Sequence, residues 1–265
     1  MYEPKAKTIL RNIIKLRYAT MYNFSAFTVK TSNSLRGSMQ EPRRLFAQLK
    51  KSDFIRPIEN YGYGRQFSYN TFYRATKLGY EAMERKYLYS QPKSFSMLQH
   101  ESAKIDVLLG FLYLYPDYDI EIDYNLNMEI KKGDVYNPDA YIKMISPDDK
   151  VYEFIIEIER SRDWPEIRKE KLNRNENLKP LDLYGLSNPT KFLYIYCGNF
   201  EPFIRPVDYP NYKIEIERLN RKFKRFKKFT YNLKDRYLFT PITNFTRLNE
   251  AVWLDIKGNP RKLIQ

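Results

Sequence analysis

Asp139, Glu157 and Glu159 have the residue type and the spacing for metal-assisted chemistry. They stand at the ends of two apolar stretches, "PDAYIKMI" (138–145) and "VYEFIIEIE" (151–159), which read as strands joined by a polar turn. Eighteen residues separate Asp139 from Glu157, the length of two strands and a short turn. Paired as an antiparallel hairpin, the start of one strand faces the end of the other, and Asp139 becomes a neighbour of Glu157 or Glu159. Glu157 and Glu159 are two apart on a strand, so they project from one face. Converging carboxylates repel unless a cation sits between them, and a set of oxygen ligands suits Mg²⁺ or Mn²⁺. With a phosphodiester as substrate, such a cation orients the phosphate and activates a water. A lysine nearby offsets the developing charge, and the next predicted helix offers Lys169 and Lys171. A plainer reading stays open: "EIER" as a strand end leaving the core, with Glu157 and Glu159 solvated or paired with Arg160 and Arg162.

These strands need a scaffold, and the chain reads as two domains. Residues 5–16 carry Ile9, Ile13 and Ile14 at helical spacing. A weaker helix covers 18–27, and the strongest covers 39–55, with Leu45, Phe46 and Leu49 inward and Pro42 in its first turn. Ile58 and Phe67 flank a Gly-containing tip, "NYGYGRQ", which predicts a hairpin, and a returning helix follows from "ATKLGYEAMERKY". Three helices, a hairpin and a closing helix describe a winged helix-turn-helix over 1–88, whose third helix would enter a DNA major groove. Arg36, Arg43, Arg44, Gln48, Lys50, Lys51 and, on the wing, Arg65 are the candidate DNA contacts. An ordinary helical domain with a solvated charged face is the alternative. Residues 88–96 are polar and contain Pro, which predicts the linker.

From 97 to 265 the expected order is a helix over 97–115, a half-buried strand or one arm of a hairpin over 119–130, strands over 138–145 and 151–159, a helix over 165–178, and a strand over 191–198. A basic helix over 214–228, a strand over 236–242 and a short helix over 247–254 complete it. That order is a mixed α/β (α+β) domain.

Charge supports a polyanionic partner. The net formal charge of the 265 residues is +14, and residues 1–90 hold 17 Lys and Arg against 6 Asp and Glu. A basic N-terminal third points to nucleic acid, here double-stranded DNA. The single cysteine, Cys197, excludes an internal disulfide and fits a reducing, cytoplasmic setting. The N-terminus has no signal-peptide core, and the longest apolar run (107–116) is too short to span a bilayer, so no membrane is expected. One histidine, His100, argues against a zinc site and any His-based triad. No Gly-rich phosphate loop supports a small-molecule enzyme.

Pro138-Asp139 followed by Glu157-Ile158-Glu159 resembles the PD-(D/E)XK nuclease superfamily, the restriction-endonuclease-like fold. Four pieces together resemble the replication-relaxation family of plasmid and mobile-element proteins, across roughly residues 5–200. They are the predicted winged helix, the helix "HES…DVLLGF", the strand "PDAYIKM", and "FIIEIER" with a following Lys-bearing helix. The resemblance implies a metal-dependent DNA endonuclease that nicks DNA, with Mg²⁺ or Mn²⁺ as cofactor. Asp139 matches the Asp of the motif and Glu157 its acidic partner, both metal ligands. Glu101, on the helix before the sheet, corresponds to an acid that many members place there. The chain departs from the motif at its third position, where Glu159 stands in place of Lys and extends the acidic set. Lys171 or Lys169 would then have to supply the cation; otherwise the fold binds DNA without cutting it, as a replication factor or regulator. A homodimer reading two half-sites and other replication or transfer proteins are the further expected partners.

Overall fold

A computed structural model describes residues 3–28, 35–58, 71–89, 98–124, 128–131, 134–159, 190–196, 217, 237–255 and 257–264. The described residues through Tyr113 form one compact unit and those from Leu114 onward a second.

The first unit opens with α1 (Pro4–Leu16), which starts on a proline that suits a first turn and buries Ile9, Leu10, Ile13 and Leu16 on one stripe. β1 (Ala19–Thr20), α2 (Met21–Thr28) and α3 (Leu35–Lys51) follow. As the sequence predicts, Leu45, Phe46 and Leu49 are the buried stripe of α3. Phe46 meets Phe24 of α2 edge-on, with ring centroids 5.7 Å apart, and meets Tyr73 at 5.2 Å. β2 (Ile55–Pro57) pairs antiparallel with β3 (Phe72–Ala75), and β1 pairs with β3 on its other side. Of the predicted flanks, Ile58 follows β2 and donates its N–H to the Phe72 carbonyl, and Phe67 lies outside the described residues. The predicted returning helix is one short α4 (Lys77–Glu81), begun by Thr76, whose hydroxyl accepts the Gly79 N–H. Gly79 is needed there, because a Cβ at that position would lie 2.3 Å from the Phe54 carbonyl oxygen. α5 (Leu98–Leu114) matches the predicted helix and buries every residue from Glu101 to Phe111.

The second unit is built on a seven-stranded mixed sheet with order β12-β11-β10-β9-β8-β7-β4. Its strands are β4 (Asp119–Asp123), β7 (Ala140–Ile145), β8 (Val151–Glu159), β9 (Lys191–Tyr196), β10 (Tyr237–Pro241), β11 (Trp253–Leu254) and β12 (Pro260–Arg261). β8, β9 and β10 run parallel, and antiparallel neighbours flank them. The predicted strand over 119–130 divides: β4 enters the sheet, while β5 (Met128–Lys131) pairs with β6 (Asp134–Tyr136) in a separate ribbon. The helix expected over 247–254 is absent from those residues. Turns lead there into β11, because the Asp255 carboxylate accepts the Lys257 and Asn259 N–H groups and folds the chain back as a β11–β12 hairpin. Of the helices expected over 165–178 and 214–228, the first lies outside the described residues, and Glu217 alone of the second is described, as helical.

Register divides the sheet into two unlike faces. One carries Ile120, Ile142, Met144, Phe154, Ile156, Leu193, Ile195 and Leu238, an aliphatic core surface. The other carries Glu121 and Asp123, then Tyr141 and Lys143, then Glu153, Ile155 and Glu157, then Phe192 and Tyr194, then Tyr237 and Phe239. Its rings stack in series: Phe192 on Tyr237 at 5.0 Å, Tyr237 near Tyr194 at 6.0 Å, and Tyr194 on Phe239 at 5.7 Å.

Candidate functional site: opposed carboxylates on the sheet and a buried polar helix

The β7–β8 register pairs Ala140 with Ile156 as its outermost pair, and Asp139 and Glu157 are the next residue along each chain. Directly opposed residues of an antiparallel pair share a face; Asp139 itself is a bend residue just outside the ladder. Glu157 is only 1% exposed. Tyr194 of β9 stands opposite it in register. The Asp139 N–H donates to the Ile156 carbonyl at 3.2 Å, and its Oδ2 accepts the Ile158 N–H at 2.7 Å. One Asp139 oxygen is thus committed to holding the strand pair together. Glu159 is the last residue of β8, opposite Tyr196 in register.

The fit of these residues to a divalent cation is partial. Two carboxylates match the one or two that Mg²⁺ commonly takes from protein, with water filling its other positions. Among the described residues, no three Asp, Glu, His or Cys side chains gather to hold a metal. Lys169, Lys171 and Arg65 lie outside the described residues.

Glu101 lies in the first unit, 2% exposed. Its Oε2 accepts a hydrogen bond from the Tyr18 hydroxyl and lies 2.7 Å from the Lys104 ammonium, which is itself buried. One turn on, Asp106 accepts from Asn23 Nδ2 at 2.8 Å. That amide also donates to the carbonyl and hydroxyl of Ser102, and Asn23 Oδ1 accepts from the Thr20 N–H and hydroxyl. Burial pushes the Asp106 carboxyl up to about 8, and the Asn23 hydrogen bond opposes this only in part. Tyr18, Asn23, Lys104 and Asp106 were not foreseen from sequence. The available signal was the run of polar residues at 101, 102, 104 and 106 inside a helix that is otherwise apolar.

On α3, Arg43, Arg44, Lys50 and Lys51 are exposed and Gln48 is half-buried. Arg36 falls in the first turn of that helix. Arg44 makes a two-pronged contact with Glu3, Lys5 pairs with Glu41, and Lys50 sits 5.9 Å from the Tyr73 ring centroid. Part of the basic face is therefore already engaged by the start of α1.

Compared with family models, curated proteins and solved structures, the chain matches none. Among the described residues, no helix is long and apolar enough to cross a membrane.

Proposed function

We propose that the protein binds double-stranded DNA through the helix and hairpin of its first unit and acts on the DNA backbone with the Asp139/Glu157 pair of its second. This is a role of the replication and relaxation kind that the sequence resembles. The observation that carries the reading is the antiparallel pairing of β7 with β8, whose outermost pair, Ala140 with Ile156, leaves Asp139 and the buried Glu157 as the next residues on the two strands. The order helix, helix, helix, hairpin, short helix in a strongly basic segment supports a winged helix. In this reading Asp139 and Glu157 hold Mg²⁺ or Mn²⁺. A bound divalent cation supplies a polarised phosphate and a water acidic enough to attack it. Asp139 keeps one oxygen on the Ile158 N–H, which fixes the orientation of the other. Lys50, Lys51 and Arg43 meet phosphates and set the position of the duplex.

The test uses supercoiled plasmid with Mg²⁺ or Mn²⁺. The expected result is conversion to open circles by the wild type and its loss in Asp139→Asn and Glu157→Gln. Nicking that survives both substitutions would remove the site. A second reading has its own support: Asp139 already serves as a strand clasp, and Glu159 stands where the motif has Lys. In that case the sheet is a scaffold, DNA binds without metal, and neither substitution alters binding.

A further inference from the structure

The large apolar side chains most open to solvent among the described residues are Leu78, Tyr87, Leu88 and Tyr89, all in one stretch of the first unit. Tyr89 is 62% exposed, yet it is not loose: the Arg74 guanidinium lies 4.1 Å from its ring centroid. One face of that ring is covered by a cation and the side chain remains largely open. Tyr87 is anchored edge-on to the buried Tyr80, with centroids 5.3 Å apart. Further cations belong to the same segments: Arg56 stands opposite Arg74 across the β2–β3 pair, Lys77 opens α4, and Arg85 and Lys86 are exposed just before Tyr87. Glu81 and Glu84 are the acids of this segment, and Glu81 is 3.9 Å from Lys77.

Exposed rings held at fixed angles, bordered by arginine and lysine, meet the two needs of an unpaired nucleic-acid strand: a π-surface for each base and a cation for each phosphate. A duplex hides its bases and has no use for the rings. From this we infer that the Tyr87–Tyr89 surface binds single-stranded nucleic acid, with a base stacked on Tyr89 opposite Arg74 and phosphates on Arg56, Arg85 and Lys86. The inference rests on the DNA-binding reading but uses a surface other than α3. It gives the protein a hold on an unpaired strand beside a duplex.

The experiment measures fluorescence anisotropy of the full chain with a labelled oligothymidylate of about 20 nucleotides and with a duplex of similar length. The Tyr87→Ala/Tyr89→Ala variant is expected to bind the single strand about tenfold more weakly while duplex affinity changes by less than about twofold. Tyr89→Phe, which keeps the ring, is expected to bind like the wild type. Lys50→Ala/Lys51→Ala is expected to show the opposite selectivity. Unchanged single-strand affinity in the double alanine variant overturns the inference, as does an equal loss for both ligands. A dimer that dissociates in that variant overturns it in favour of a second copy of this chain on the patch. Duplex binding without single-strand binding overturns this inference alone, whereas absence of both defeats the DNA-binding reading as well.

Discussion

Two sets of carboxylates, the buried pair on α5 and the buried Glu157 with the half-buried Asp139 at the end of the β7–β8 pair, differ in how the fold treats negative charge. On the helix each acid has a dedicated answer: Glu101 faces Lys104 and Tyr18, and Asp106 is held in its proton-bound form by burial beside Asn23. On the strands Asp139 and Glu157 are the residues that follow the outermost β7–β8 pair, Ala140 with Ile156. Burial of a charge is costly unless it is paired or neutralised. The helix meets that cost within the chain. At the strand pair, the proposed function would have an external cation meet that cost.

The largest expected effect tests the helix side. Lys104→Met leaves Glu101 buried without its cation and should destabilise the protein by about 3–5 kcal/mol, measured by denaturant unfolding. Adding Glu101→Gln to that variant should recover most of the loss. If it does not, the pair is more than a charge neutralisation.

Next comes Asp106. Its folded-state carboxyl titrates near 8 against an ordinary 3.8, so between those values the folded chain holds a proton that the unfolded chain has released. Stability attributable to this group therefore falls as pH rises from about 4 to about 8 and is level above that. Asp106→Asn should flatten this slope and stabilise the protein at pH 8 by on the order of a few kcal/mol. Unfolding curves with equal slopes in wild type and variant would place the charge elsewhere.

The strand side should show the reverse response to neutralisation by ligand. Glu157→Gln relieves acid-on-acid repulsion and should stabilise the metal-free protein by on the order of 1 kcal/mol. Mg²⁺ should raise the melting temperature of the wild type and leave that variant unmoved. A loss of stability in Glu157→Gln would make the strand acids resemble the helix acids and erase the contrast. The smallest effect separates the two roles of Asp139. Asp139→Ala forfeits the Ile158 hydrogen bond at about 1 kcal/mol, while Asp139→Asn keeps it, and both should abolish the Mg²⁺ response.

The strand pair was legible because strand periodicity is strict. Alternation along 138–145 and 151–159 fixes which side chains share a face, and a short turn fixes the register, so the pairing of β7 with β8 follows from counting. The stripe of α3 was legible for the same kind of reason, with period 3.6 in place of 2. The helix acids were not, because Tyr18 and Asn23 come from elements some eighty residues away and no local pattern announces them. The tail misled differently. "RLNEAVWL" is composed of adequate helix formers, but the turn "DIKGN" that follows draws Trp253 and Leu254 into a hairpin. The separate β5–β6 ribbon likewise had a signal in the sequence Lys-Lys-Gly-Asp (131–134), which lies beyond the bounds of the 119–130 reading.

Gly79 gives the exposed aromatic stretch its footing. Its bare backbone rests against the Phe54 carbonyl, where a single methyl would collide, so the short helix that carries Leu78 and anchors Tyr87 through Tyr80 is seated by contact rather than by charge. A seat of that kind is insensitive to salt and pH. If the stretch takes an unpaired strand as proposed, ionic conditions would tune how strongly its cations attract that strand without altering the angle at which the rings are offered to it.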